Sequence, residues 1–204
     1  MYKQYEVLYK AFDLFNEHYF DNELPHCMIT LQKKRENRNA DFTVEPIWFS
    51  TQSDDEFYQI NINPINMNRE PEEILSSLLH EVIHYYCTLN NIKDVKQKVH
   101  TTAYKEVAES HGLHVEYDDG IGWSITSLND ESIELVKDLI EEYKNDFVYM
   151  YMPKKEVRKT QFKFVCPQCQ AKIYGKMETN VYCGQCGIAL EMEQIEDESE
   201  SEES

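Results

Sequence analysis

Long apolar runs are missing from this chain. No stretch approaches the ~20 residues that a membrane-spanning helix needs, so no membrane partner is expected over its 204 residues. The opening MYKQYEVLYKAFDLF lacks the basic start, continuous apolar core and small-residue cleavage site of a signal peptide. A cytoplasmic location is the resulting expectation. Cations are scarce: 20 Lys and Arg stand against 38 Asp and Glu, for a net charge of −18. The last stretch, EMEQIEDESESEES, holds eight acidic residues and no basic one, which leaves about −10 for the rest. A broad phosphate-binding face needs an excess of cations, so net charge does not support nucleic acid as a partner. The local run MPKKEVRKTQFK reads as a solvated linker. There is no internal repeat.

The chain does have core-forming residues, with 41% hydrophobic and 12% aromatic positions. Tyr5, Leu8, Tyr9, Phe12, Phe15 and Tyr19 recur at helical spacing over residues 2–20. LPHCMITLQKK, ADFTVEPIWFS and DEFYQININP read as strands, short and rich in β-branched and aromatic residues. NREPEEILSSLLHEVIHYYCTLNN is a helix, with Pro71 near its start and Glu72 and Glu73 suited to the positive end of its dipole. A second helix is expected from Val99 to Ser110 or His111, stopped by Gly112. A third, ESIELVKDLIEEYKNDF, carries Ile133, Val136, Leu139, Ile140, Tyr143 and Phe147 on one stripe. Helix, strands, then helices is an α+β order.

The LLHEVIHYYC stretch carries chemistry. At about 100° per residue, His84 lies about 40° from His80, while Leu75, Leu78, Leu79, Val82 and Tyr86 fall about 160–260° away. The imidazoles thus stand side by side, ~6 Å apart along the axis, off the main apolar stripe. That spacing suits one tetrahedral zinc. Glu81 stands beside them, placed to serve a water rather than to ligate. A third ligand is sought among His100, Glu106, Glu109, His111 and His114. On the expected second helix His100 shares the apolar face with Tyr104, Val107 and Ala108, whereas Glu106 and Glu109 point outward. His111 lies ~16 Å further along. His100 is therefore the choice, and His111 is read as a helix C-terminal histidine. Cys87 and Cys27 read as packing residues.

Cys166 and Cys169, then thirteen residues, then Cys183 and Cys186 describe a four-cysteine zinc ribbon. AKIYG and NVYC are expected as its hairpin strands, with Gly184 and Gly187 relieving the turns. About thirty residues bury too little surface alone, so metal would supply the fold.

Together these segments resemble the SprT-like metalloproteases. LPHCMITLQ is similar to an early strand of that family, EEILSSLLHEVIHYYC to its HExxH helix and VHTTAYKEVAESHGLHV to the segment where a histidine opens a helix. IGWSITSL resembles its Gly-Trp-Ser-x-Thr stretch, and FVCPQCQAKIYGKMETNVYCGQCG the ribbon that many members carry. The resemblance implies a zincin-like peptidase domain at 1–152, with His80, His84 and His100 as ligands of a catalytic zinc and Glu81 as catalyst. A linker at 153–161, the ribbon at 162–192 with a structural zinc, and a disordered acidic tail at 193–204 would follow. Two zinc ions per chain are thus expected. The expected activity is hydrolysis of peptide bonds in a protein or peptide substrate, with Glu81 as general base. The resemblance also raises nucleic-acid-associated proteins as substrates. A peptide is expected to lie extended along an edge offered by FYQININP, with Tyr104 and Tyr85 as candidate oxyanion donors. The alternative is a non-catalytic, metal-stabilised adaptor that binds protein or nucleic acid through the ribbon and tail.

Overall fold

The computed structural model describes residues 2–35, 37–147, 162–176 and 179–193. The expected linker at 153–161 and nearly all of the acidic tail lie outside the described residues. The chain forms two compact units, 1–153 and 154–204, and each is described by itself.

The first unit is mixed α/β, with four α-helices, one short 3-10 helix and small sheets among its described residues. Helix α1 (Tyr2–Tyr19) buries Val7, Leu8, Ala11, Phe12 and Phe15. It ends where Asp21 and Asn22 turn left-handed, with φ of 52° and 58°; Asp and Asn tolerate that region. Asn16 locks the exit, its amide donating to the Leu24 carbonyl and accepting from the Leu24 N–H at 3.0 and 3.1 Å.

Strands β1 (Met28–Thr30), β2 (Ala40–Phe42), β3 (Trp48–Phe49), β4 (Glu56–Phe57) and β5 (Gln59–Ile62) follow. β3 and β4 pair as a separate hairpin. β5 is the centre of a three-stranded sheet, parallel to β1 and antiparallel to β2. It therefore offers no edge to a peptide, contrary to the sequence expectation. The cause is visible along β5, which is buried on both faces. Ile60 and Ile62 belong to the core. On the other side the buried Asn61 side chain accepts from Thr30 Oγ1 and the Gln32 N–H, and donates to the Gln32 carbonyl and Asp41. Polar residues in this strand hold backbone rather than face solvent.

Helix α2 (Pro71–Leu89) is the central element. Pro71 opens it, and the Glu73 carboxylate accepts from the Glu70 N–H at 3.1 Å. Ile74, Leu75, Leu78, Leu79, Val82, Ile83, Tyr85 and Cys87 are all 0–1% exposed. A helix buried around so much of its circumference belongs inside a core, and α2 packs against α1, β2, β5 and the elements that follow.

Strands β6 (Val95–Lys96) and β7 (Val99–His100) lead into α3 (Thr102–Ser110). The second helix thus begins later than its periodicity suggests, and His100 is a strand residue. Thr101 sets the boundary: with an extended backbone it caps α3, its hydroxyl accepting from the Tyr104 N–H at 3.3 Å. Strand β8 (Leu113–Asp118), which contains His114, and β9 (Gly122–Leu128) form an antiparallel pair, and the full sheet order is β6-β7-β9-β8. Helix α4 (Asp130–Tyr143) buries Val136 and Tyr143, with Phe147 buried just beyond it. Ile133, expected on that stripe, is 42% exposed; it sits beside a cavity described below. No helix among the described residues is long and apolar enough to cross a membrane.

In the second unit, β10 (Phe162–Val165) lies between β11 (Lys172–Gly175) and β12 (Glu191–Glu193). The KIYG strand pairs with β10 and not with NVYC, which makes a single bridge from Tyr182 to Ala189. The small core is Phe162, Phe164, Cys166, Cys183 and Leu190.

Candidate metal centre

Three histidine rings meet on one side of α2. His80 and His84 project from adjacent turns of that helix, and His100 arrives at the end of β7. The Nε2 atom of His84 lies 3.2 Å from Nε2 of His80 and 3.0 Å from Nε2 of His100. Two nitrogens ~2.0–2.1 Å from a tetrahedral zinc stand about 3.3 Å apart. The donor set therefore fits such an ion. Tyr104 closes the inner side, its ring centroid 4.6–5.0 Å from those of all three histidines.

The outer nitrogens are also engaged. His84 Nδ1 lies 2.5 Å from Asp94 Oδ2 and His80 Nδ1 lies 3.1 Å from Thr126 Oγ1, while His100 Nδ1 contacts Ser124 Oγ. Asp94 comes from the turn between α2 and β6, which Thr101 ties down by donating its N–H to the Asp94 carbonyl at 2.8 Å. Ser124 and Thr126 come from β9.

Burial governs the electrostatics. It holds the His80 ring well below its ordinary 6.5, with the His84 and His100 charges adding to the effect. His100 is lowered to about 4, again by burial first and His84 second. Burial alone would raise Asp94, but the hydrogen bond and charge of His84 outweigh it and hold the carboxyl below its usual range. Neutral His80 and His100 rings and an ionised Asp94 are states that suit a cation.

Glu81 is 7% exposed, and burial pushes its carboxyl up to about 7. It has no hydrogen-bond partner among the described residues. Glu106 and Glu109 are exposed, Glu109 facing Lys105 at 3.7 Å, and neither joins the cluster. His111 caps the end of α3 and stacks on Phe20. Cys87 and Cys27 are buried thiols, each pushed up to about 12 by burial. Tyr85 donates to the Pro25 carbonyl at 3.3 Å, deep in the core. The Tyr104 hydroxyl is buried and has no hydrogen-bond partner among the described residues.

A cavity of about 420 Å³ lies against β9 and the first turns of α2, and none of the three histidines lines it. Ser124 and Thr126 line it together with Arg69, Ser77, Leu128 and Ile133.

The second cluster brings Cys166, Cys169, Cys183 and Cys186 together, with all sulfurs within 4.8 Å of one another. Its two turns repeat one geometry. The N–H groups of Gln170 and Gly187 donate to the Cys166 and Cys183 carbonyls, and the N–H groups of Cys166 and Cys183 donate to those of Ala171 and Ile188. Gln170 and Gly187 share a left-handed φ, 61° and 69°. Gly187 thus relieves its turn as expected, whereas Gly184 shows no such φ and Gln170 fills the matching place in the first turn. Backbone N–H of Cys186 lowers the Cys183 thiol to about 7, while the neighbouring sulfur of Cys169 raises Cys186 to about 12. Four crowded thiols cannot all ionise without a cation between them.

The SprT-like family model matches residues 8–120. The chain belongs to the SprT-like family. The matched segment contains all three histidines and Glu81 and ends before β9 and the ribbon. Over 31 residues the chain is also 55% identical to a Salmonella typhimurium protein described as "Uncharacterized protein in mucB 3'region". That stretch is 15% of this chain and 42% of the relative, so the match spans less than half of the relative's length.

Proposed function

We propose that the first unit is a zinc-dependent endopeptidase of the HExxH type. The carrying observation is the meeting of three Nε2 atoms beside a buried carboxylate, Glu81, that no neighbouring group uses. His80, His84 and His100 would hold the ion. Zinc bound there would supply Lewis acidity toward a peptide carbonyl and toward water. Glu81 would accept the proton of the attacking water and return it to the leaving nitrogen. The burial that raises this carboxyl favours its holding the transferred proton. The available sheet edge near α2 is that of β2, since β5 is enclosed. The four cysteines would hold a second, structural zinc in a ribbon.

A metal-stabilised adaptor would need the histidines but has no use for a carboxyl held beside them. Family membership supports the peptidase reading as well. We place its action in the cytoplasm, on protein or peptide substrates.

The test is Glu81→Gln. The variant should retain the metal content of wild type, lose peptide hydrolysis and capture substrates from a lysate of the source cell that wild type releases. Undiminished hydrolysis by Glu81→Gln would overturn the assignment.

A further inference from the structure

The stretch GWSIT, residues 122–126, stands outside the segment matched by the family model. We infer that β9 is the outer wall of the metal centre, with Ser124 and Thr126 as positioning residues that fix the rings of His100 and His80. The inference rests on the reading of the three histidines as a zinc site.

The strand is fitted to this task along its length. Gly122 pairs with His100 in parallel register and has a φ of +73°. A Cβ there would lie 2.7 Å from the His100 carbonyl oxygen and 2.5 Å from Val99 Cγ1. Only glycine lets β9 approach β7 this closely. Two residues on, Ser124 contacts His100 Nδ1. After two more, Thr126 reaches His80 Nδ1. The β8–β9 register shifts between Gly122 and Ile125, and beyond that irregularity Ser124 and Thr126, two residues apart, both turn toward the histidine rings. Ser76 Oγ donates to the Thr126 carbonyl at 3.2 Å, fastening the strand to α2 one turn before His80.

The hydrogen-bond directions decide the chemistry. Ser124 has one hydroxyl hydrogen and donates it to the Ile121 carbonyl at 2.7 Å. Toward His100 it can then only accept, so the ring proton sits on Nδ1. Nε2 is left as a lone pair aimed at His84. The Asp94 carboxylate likewise accepts from Nδ1 of His84. His80 completes the set when its Nδ1 donates to Thr126. With all three rings in this tautomer, three lone pairs face one another at short range with no proton between them. Such a cluster repels itself until a cation enters. β9 thus prepares two of three ligands before metal arrives, and the rings do not rotate or exchange protons upon binding.

The experiment uses the full chain and four variants: Ser124→Ala, Ser124→Thr, Thr126→Val and Thr126→Ser. Affinity at the histidine site is read by chelator competition and by the d–d bands of cobalt(II); thiolate-to-cobalt charge transfer reports ribbon loading separately. Ser124→Ala and Thr126→Val should each weaken the histidine site by about 10–100-fold. Ser124→Thr and Thr126→Ser should restore it, with ribbon loading constant throughout. Long-range nitrogen–proton NMR of the rings should show the Nδ1–H form of His100 in wild type and its loss in Ser124→Ala. Unchanged affinity in Ser124→Ala and Thr126→Val would overturn the inference while leaving the peptidase reading intact. Absence of metal at the histidines of wild type would overturn both.

Discussion

Replacing Glu81 by glutamine in metal-free protein should change how the stability of the first unit depends on pH. Burial raises the carboxyl from 4.5 to about 7. The folded state thus holds this proton more tightly than the unfolded chain does. The favourable contribution is complete below pH 4.5 and is lost as pH rises to about 7. At about 1.4 kcal/mol per pH unit, the loss approaches about 3 kcal/mol. The depressed imidazoles act with opposite sign. His100, lowered from 6.5 to about 4, contributes stability that is present above 6.5 and is lost as pH falls toward 4, and His80 works the same way. In wild type the two trends oppose each other. Glutamine does not titrate, so the variant keeps the imidazole trend alone. The stability difference between variant and wild type should be constant below pH 4.5 and should shift by about 3 kcal/mol in favour of the variant by about pH 8. Trp48 and Trp123 are the two tryptophans of the chain, and both lie in the first unit. Urea titrations followed by tryptophan fluorescence therefore report that unit without a signal from the ribbon. A difference that stays constant from about pH 4.5 to 8 would refute the account of Glu81 as a carboxyl strained by burial.

Elemental analysis of loaded protein should find two zinc ions per chain; Cys183→Ser and His100→Ala should each lose one, whereas Glu109→Ala, on the exposed face of α3, should lose none. Gly112→Ala should destabilise the first unit by about 2–4 kcal/mol in the same urea assay, because Gly112 has a φ of +90° and its Cβ would meet Ser132 Oγ at 2.3 Å and the Tyr19 ring at 2.5 Å.

How far the sequence could be read depended on the range of the interactions involved. The α2 periodicity and the two Cys-x-x-Cys turns are local, and both stand in the structure where the spacing puts them. His100 shows the limit. The wheel that selected it assumed a helix through residue 100, but His100 belongs to a strand, and it reaches the other histidines through the β7–β9 pairing. Thr101 carried the missing signal, a threonine three residues before Tyr104 at a helix start. The enclosed position of β5 was hidden for a related reason. Gln59 and Asn61 look like the solvent face of an alternating strand, and their partners lie eleven to thirty-one residues away. Asp94, Ser124 and Thr126 were not legible as ring partners, since a lone aspartate, serine or threonine acquires that role only when distant segments meet. The pairing partner of the KIYG strand likewise depends on β10, which precedes the first cysteine.

The order of the metal-centre residues along the chain also sets a schedule. A growing polypeptide that has reached His100 already has all three imidazoles, but β9 lies more than twenty residues further on. At about 5–20 residues per second the interval is on the order of seconds. During it, His100 can pair with β6 but not yet with β9, and it has no hydroxyl to fix its ring. The cluster is thereby kept incomplete while the chain around it is still unfolded. The last wall of the site is supplied by the β8–β9 hairpin that follows, so the site is completed together with the fold around it.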